Sequence, residues 1–259
     1  CFLINEHIAD FIIEYAKLDV EQDTVLEIGP GFGSLTQKIA ENSHQLYAIE
    51  IDSKICHYLQ KKFSRQENFT LINQDALKIT FPEHTKLISN VPYHISGPLI
   101  QKIVSEKKAE LIILMLQEDF INRMKAPPQA KGYGRLSVIS QLFFTIKILR
   151  NVSRYDFYPQ PEVESGIIEL KFKPELLGNP HIAAFGEFLA GIFPYKNKVV
   201  PKALSFLKKN LGNYPKLSST KEFSLEKTIP EELKNKRLWE LTPLQIWELF
   251  LNFNEIRNA

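Results

Sequence analysis

The stretch "VLEIGPGFGSLT", Val25 to Thr36, decides the fold. It opens as an apolar run, breaks at Gly29, Gly31 and Gly33, and resumes as an amphipathic helical pattern from Ser34. Glycines placed this way let the backbone turn sharply and approach a ligand closely, and the helix that follows offers unpaired amides at its N-terminus. About twenty residues further on, Glu50 ends the next run, "LYAIEID", where an acid binds ribose hydroxyls in nucleotide-binding α/β folds. Asp75, in "INQDAL", closes a third run, so successive strand ends present polar groups at one edge of a sheet. Both acids could simply cap helices; the glycines upstream favour a ligand. The spacing is Gly-x-Gly-x-Gly, without the later third glycine of the dinucleotide pattern. That favours a cofactor lacking a pyrophosphate, such as S-adenosylmethionine, over a nicotinamide.

Outward from this stretch, short β-branched runs alternate with helical ones. Asn5 caps a helix through "EHIADFIIEYAKL", with Ile8, Phe11, Ile12 and Tyr15 at helical spacing. "TVLEI", "QLYAIEI", "FTLIN", "KLISN" and "ELIILML" read as strands, separated by "SLTQKIAENS", "SKICHYLQKKF" and a helix from about Gly97. Alternation of this kind implies a parallel, doubly wound α/β sheet. A basic loop, "KAPPQAKGYG", another helix and the strand pair "IKILRNVS" and "SGIIELKF" follow. "KPELLGNP" marks a boundary. Beyond it "IAAFGEFLAGIF", "VVPKALSFLKKNL", starting near Val200 because Pro201 fits only a first turn, and "TPLQIWELFLNF" read as helices. The expectation is an α/β catalytic domain over 1–177 and a small all-helical C-terminal domain over 178–259.

The ending of the fourth strand, "LISNVPYHIS", is what a buried strand does not need. Asn90 sits at its carboxyl end beside the proposed cofactor, followed by Val91, Pro92 and Tyr93. Methylating an exocyclic amine of a base is hard because the nitrogen lone pair is delocalised into the ring. An amide oxygen and a backbone carbonyl can accept from that amine and favour its pyramidal form. The proline fixes the turn, and the tyrosine face can stack on a base taken out of its helix. No tuned general base is required, since in-line geometry toward a sulfonium supplies much of the rate. Read alone, the same residues would be a strand-ending turn.

Composition bounds the possibilities. A chain of 259 residues, 44% hydrophobic, can bury a full core. No run approaches the length of a membrane helix, and Cys1 and Cys56 lie far apart without metal spacing, so a soluble cytoplasmic protein without metal is expected. The net charge is only +2, yet no acid occurs from Phe120 to Tyr155, which carries Arg123, Lys125, Lys131, Arg135, Lys147, Arg150 and Arg154. A second acid-free run, between Glu187 and Glu222, includes Lys196, Lys198, Lys202, Lys208, Lys209 and Lys216. Either run alone could be a solvated face. Together they suggest a surface that follows a phosphate backbone.

At this point the chain resembles the small-subunit ribosomal RNA adenine N6,N6-dimethyltransferases, in the archaeal or eukaryotic branch. "CFLINEHIA", "EIGPGFGSLT", "AIEID" and "QDAL" are similar to the family's cofactor motifs, "NVPYHIS" to its catalytic motif, and "MLQEDFINRM", "KGYGRLS" and "FYPQPEVES" to its later segments. The resemblance implies a Rossmann-like S-adenosylmethionine-dependent methyltransferase. It implies that Cys1, Leu3, Ile51 and Ala76 contact the cofactor, that Gly29 lines its methionine end within a loop that includes Gly31 and Gly33, and that Glu50 holds its ribose hydroxyls. Asp75 would bind its adenine, Asn90 the target amine, and Tyr93 and Phe157 would sandwich the flipped base. The implied substrate is a pair of adjacent adenosines in a hairpin near the 3′ end of small-subunit rRNA, each methylated twice, in a pre-ribosomal particle. A monomer is expected. The glycine and glutamine that usually precede Cys1 are missing, so an N-terminal truncation is expected, and Val91 and Glu162 stand where the family commonly has leucine or isoleucine and lysine. The alternatives keep the cofactor and move the substrate to large-subunit rRNA or DNA, or keep the fold as a non-catalytic ribosome-assembly factor.

Overall fold

The computed structural model describes residues 2–176, 179–217 and 229–258. The chain forms two units, residues 1–121 with 144–172, and residues 122–143 with 173–259.

The first unit is built on a seven-stranded sheet, ordered β4-β3-β2-β5-β6-β9-β7. Its parallel members are β2 (Thr24–Ile28), β3 (Gln45–Glu50), β4 (Phe69–Asn73), β5 (Lys86–Asn90) and β6 (Leu111–Gln117). β7 (Phe144–Val152) and β9 (Ser165–Phe172) complete it antiparallel. Helices α1 (Glu6–Ala16), α2 (Ser34–Asn42), α3 (Ser53–Lys62) and α4 (Ser96–Glu106) make the crossovers and cover. The Asn5 side chain accepts from His7 N–H at the start of α1, as the sequence predicts. Ile8, Ile12, Leu35 and Ile39 of α1 and α2 join Val25, Leu46, Ile88 and Ile113 of the sheet in one buried cluster. Such parallel strands are apolar throughout because helices close them off from water. At the amino ends of β2 and β5, Lys86 Nζ lies 2.6 Å from Asp23 Oδ2 and also donates to the carbonyls of Ala16 and Lys17.

Strand order reverses between β2 and β5: β3 and β4 lie on one side of that pair, β6 on the other. A ligand crevice forms at such a reversal, outside the carboxyl ends of the strands. A small ribbon flanks it, in which β1 (Phe2–Leu3) pairs antiparallel with β8 (Phe157–Tyr158).

The second unit is helical, with α6 (Arg135–Phe143), α7 (Ile182–Ile192), α8 (Val200–Lys209) and α9 (Pro243–Asn258); α5 (Glu118–Lys125) precedes α6 in the chain. Its core is aromatic. Phe185 lies 4.8 Å from Trp247 and Phe188 5.3 Å from Phe253, ring centre to ring centre. α8 begins at Val200 with Pro201 in its first turn. Segment 122–143 belongs to this unit although it precedes the last strands of the sheet. Tyr133, fully buried, donates its hydroxyl to Leu241 O, and Gln129 N–H donates to Trp239 O.

Candidate active site

A cavity of about 460 Å³ opens at the strand reversal, a volume within the usual range for small-molecule sites. Its floor and rim come from the turn after β2, the end of β3, the turn after β5, and β1.

The turn after β2 holds Gly29 at φ 68° and Gly31 at φ 55°, conformations that side chains resist. Space imposes the same choice. A Cβ on Gly29 would fall 2.6 Å from Pro92 Cγ, and one on Gly31 would fall 2.7 Å from Phe2 Cδ1. The glycine turn is therefore fitted against the turn after β5 on one side and against β1 on the other. α2 starts immediately afterwards with no side-chain cap, and its Ser34 and Leu35 line the cavity. Amides left this way at a helix N-terminus suit an anionic or carboxylate group.

Two acids reach the cavity. Glu50 ends β3, is 8% exposed, and accepts Asp52 N–H on Oε1 at 2.9 Å. Glu27, inside β2, is the residue that sequence reasoning missed. It is 2% exposed, and its Oε2 has no hydrogen-bond partner among the described residues. Burial pushes its carboxyl up to about 8, only partly offset by the neighbouring Thr36 hydroxyl and reinforced by the negative charge of Glu50. The available signal was an acid in a strand whose other inner positions are apolar.

The turn after β5 is tied down from several sides. Asn90 pairs with Met115 of β6, and Val91 N–H donates to Met115 O at 3.2 Å. Ser89 Oγ donates to Ile28 O at 2.6 Å, linking the ends of β5 and β2. Pro92, at φ −57°, leads into a short 3-10 turn over Tyr93–Ile95, and its carbonyl accepts Ile95 N–H. Tyr93 Oη lies 3.0 Å from Ser165 Oγ at the start of β9. Asn90, Pro92 and Tyr93 all line the cavity.

The predicted site residues divide accordingly. Leu3, Gly29, Gly31, Glu50, Asn90, Pro92 and Tyr93 meet at the cavity. Gly33 instead caps α2, where a Cβ would strike Phe63. Ile51 is 64% exposed just beyond β3. Asp75 lies two residues past β4, where its Oδ1 accepts Leu77 N–H, and Ala76 beside it is buried. Phe157 is 3% exposed and packs in the core with Leu3, Met115 and Ile167. Cys1 falls outside the described residues. Of the basic positions, Arg123, Lys125, Lys131, Arg135, Lys198, Lys202 and Lys208 are exposed within the helical unit. Lys196 is half-buried and donates to Tyr133 O at 2.8 Å, so part of its role is structural.

These groups fit S-adenosylmethionine. The glycine turn leaves a cradle that a Cβ would fill, and a buried carboxyl with one unpartnered oxygen and a second acid suit a hydroxyl-bearing ligand. Among the described residues no group of His, Cys, Asp and Glu could hold a metal, and no described helix is long and apolar enough to cross a membrane.

The family model for ribosomal RNA adenine dimethylase matches residues 1–229. A probable ribosomal RNA small subunit methyltransferase A of Methanosarcina acetivorans is 36% identical over 245 residues, covering 95% of this chain and 88% of that protein. The protein of the same name from Pyrococcus furiosus is 34% identical over 261 residues, covering 99% and 92%. Among solved structures, a dimethyladenosine transferase from Plasmodium falciparum aligns with a TM-score of 0.80 at 30% identity over 98% of both chains. The 23S rRNA methyltransferase ErmE aligns at 0.63 and 24% identity over both full chains, a likeness of fold.

Proposed function

This chain belongs to the ribosomal RNA adenine dimethylase family, and from that premise we propose that it converts two adjacent adenosines, in a hairpin near the 3′ end of small-subunit rRNA, to N6,N6-dimethyladenosine. It is a methyltransferase of small-subunit rRNA that uses S-adenosylmethionine. The observation that carries the reading is the Asn90–Tyr93 turn, wedged against the glycine turn through Gly29 and Pro92 at the strand reversal.

When bound, S-adenosylmethionine supplies a methyl group on a sulfonium, and transfer to N6 breaks the carbon–sulfur bond as the nitrogen–carbon bond forms. The Asn90 side-chain amide and the Val91 carbonyl accept hydrogen bonds from the amine and hold its lone pair out of conjugation. The proton displaced from N6 passes to water. Tyr93 presents a face to the extruded base and is kept in place by Ser165. Glu50 would hold the ribose hydroxyls, Leu3 and the glycine turn would enclose the methionine end, and Ile51, Asp75 and Ala76 would border the adenine. Phe157 backs the target pocket from the core. Segment 122–143 and the C-terminal helices supply the RNA contacts through Arg123, Lys125, Lys131, Arg135, Lys198, Lys202 and Lys208. The setting is a cytoplasmic pre-ribosomal particle, with the enzyme acting as a monomer.

The test is to incubate the protein with methyl-labelled S-adenosylmethionine and immature small subunits and to map the label. Label on adjacent adenosines near the 3′ end of small-subunit rRNA is expected; label confined to large-subunit rRNA or DNA would overturn the substrate.

A further inference from the structure

We propose that Arg154, Tyr155 and Tyr158 form a stacking platform for the unpaired nucleotides that flank the methylated adenosine, an inference that rests on the rRNA methyltransferase reading above. Among the described residues, Tyr158 and Tyr155 are the most exposed aromatic side chains, at 72% and 67%. They bracket Phe157, which is 3% exposed. The aromatic face that this segment offers to solvent thus belongs to the two tyrosines.

The segment is rigid for backbone reasons. Arg154–Asp156 form a 3-10 turn capped by Ser153, whose side chain accepts Tyr155 N–H. Phe157 and Tyr158 then pair with Leu3 and Phe2, and Ile4 N–H donates to Asp156 O at 2.9 Å. Preorganised rings lose little freedom when a base lands on them.

Arg154 brings a cation to this face. The Arg154 guanidinium lies 5.3 Å from the Tyr155 ring centre and 3.8 Å from Glu164 Oε1, so the cation is held over the ring by an acid that a phosphate would have to replace. Asp156, the nearest acid in the chain, is occupied by Asn5 Nδ2 at 2.7 Å and Ser153 N–H at 3.1 Å. Glu164 is engaged by Arg154 N–H at 2.8 Å.

Position supplies the remaining argument. Opposite Tyr158 and Phe157 on the same ribbon are Phe2 and Leu3, which line the cofactor cavity. β9, which begins at Ser165 a few residues on, holds the catalytic Tyr93. A target base drawn into the cavity leaves its neighbours without a stacking partner, and aromatic faces replace that partner without regard to sequence.

The full chain is titrated with an RNA hairpin whose loop contains two adjacent adenosines and 2-aminopurine beside them. The wild type should bind and quench the reporter. Tyr155→Ala and Tyr158→Ala should each weaken binding by roughly fivefold or more and relieve the quenching, whereas Tyr155→Phe and Tyr158→Phe keep both. S-adenosylhomocysteine should bind every variant alike, showing that the cavity is intact. Alanine variants that bind and quench like the wild type would overturn the platform while leaving the enzyme's function standing, provided the wild type methylates small-subunit rRNA. Equal losses in the phenylalanine variants would overturn stacking in favour of the hydroxyls. A wild type that methylates no small-subunit rRNA overturns the function and the platform with it.

Discussion

Glu27 carries the largest electrostatic cost visible in the catalytic unit. Its carboxyl, with pKa raised to about 8 by burial and by Glu50, holds a proton in the fold at pH values where the unfolded chain has lost it. Stability should therefore fall as pH rises from the ordinary carboxylate range to about 8, and level off above it. Urea melts of Glu27→Gln without cofactor should lack that decline, the gap between variant and wild type growing to the order of a few kcal/mol. Parallel curves would place the titration elsewhere. Asn90 is the complementary case, because its proposed part lies in the chemistry. Asn90→Ala should lower methyl transfer by about a hundredfold or more with cofactor affinity nearly unchanged, read by single-turnover label transfer and by calorimetry with S-adenosylhomocysteine. The two residues were unequally legible. Asn90 announces itself by breaking an apolar run next to a proline, whereas Glu27 differs from a strand's exposed acid only in what the other strands and helices place around it.

Among elements, the amino and carboxyl ends of β2 and β5 do different work. At the carboxyl ends the two turns interlock around Gly29 and Pro92. At the amino ends Lys86 bonds Asp23 and closes the last turn of α1 through the Ala16 and Lys17 carbonyls. Burial would raise the Asp23 carboxyl, but Lys86, the Asp19 amide and Thr85 outweigh it and hold it below its ordinary value. A depressed acid contributes stability that is complete above the ordinary carboxylate range and is lost as pH falls through its folded value. Lys86→Met should cost about 1–3 kcal/mol in denaturant melts near neutrality, and the deficit should shrink on acidification. A deficit that persists unchanged at low pH would assign the loss to the helix carbonyls instead. Strand and helix identities were readable here because "KLISN" and "TVLEI" are short apolar runs between turn residues. The β1–β8 ribbon was not, since neither two-residue strand has a pattern of its own and each exists only through the other.

At the scale of the whole molecule, near-neutral net charge conceals runs of exposed cations in the helical unit, and the predicted RNA contacts separate by how each cation is held. Lys198→Ala, Lys202→Ala and Arg123→Ala remove exposed cations, so each should flatten the salt dependence of RNA binding by roughly one unit of slope with little change in melting. Lys196→Ala should instead lower stability by about 1 kcal/mol, because it removes the donor to the Tyr133 carbonyl. Unchanged slopes for the first three would return them to the solvated surface. The acid-free runs in the sequence marked where these cations cluster along the chain. What they could not separate was a lysine reaching solvent from one folded back onto the backbone.

The order of strands and helices, the glycine turn, Glu50 and the Asn90–Tyr93 turn were determined by the sequence, because each is a local pattern whose chemistry lies in consecutive residues. Membership in the adenine dimethylase family rests on the same contiguous motifs and was legible for that reason. Tertiary structure alone decided that Glu27 is a buried acid with an unpartnered Oε2, that Phe157 turns inward while Tyr155 and Tyr158 face solvent, and that segment 122–143 belongs with the helices. Burial and partnership are properties of the groups that long-range packing brings together, and no run of neighbouring residues encodes them.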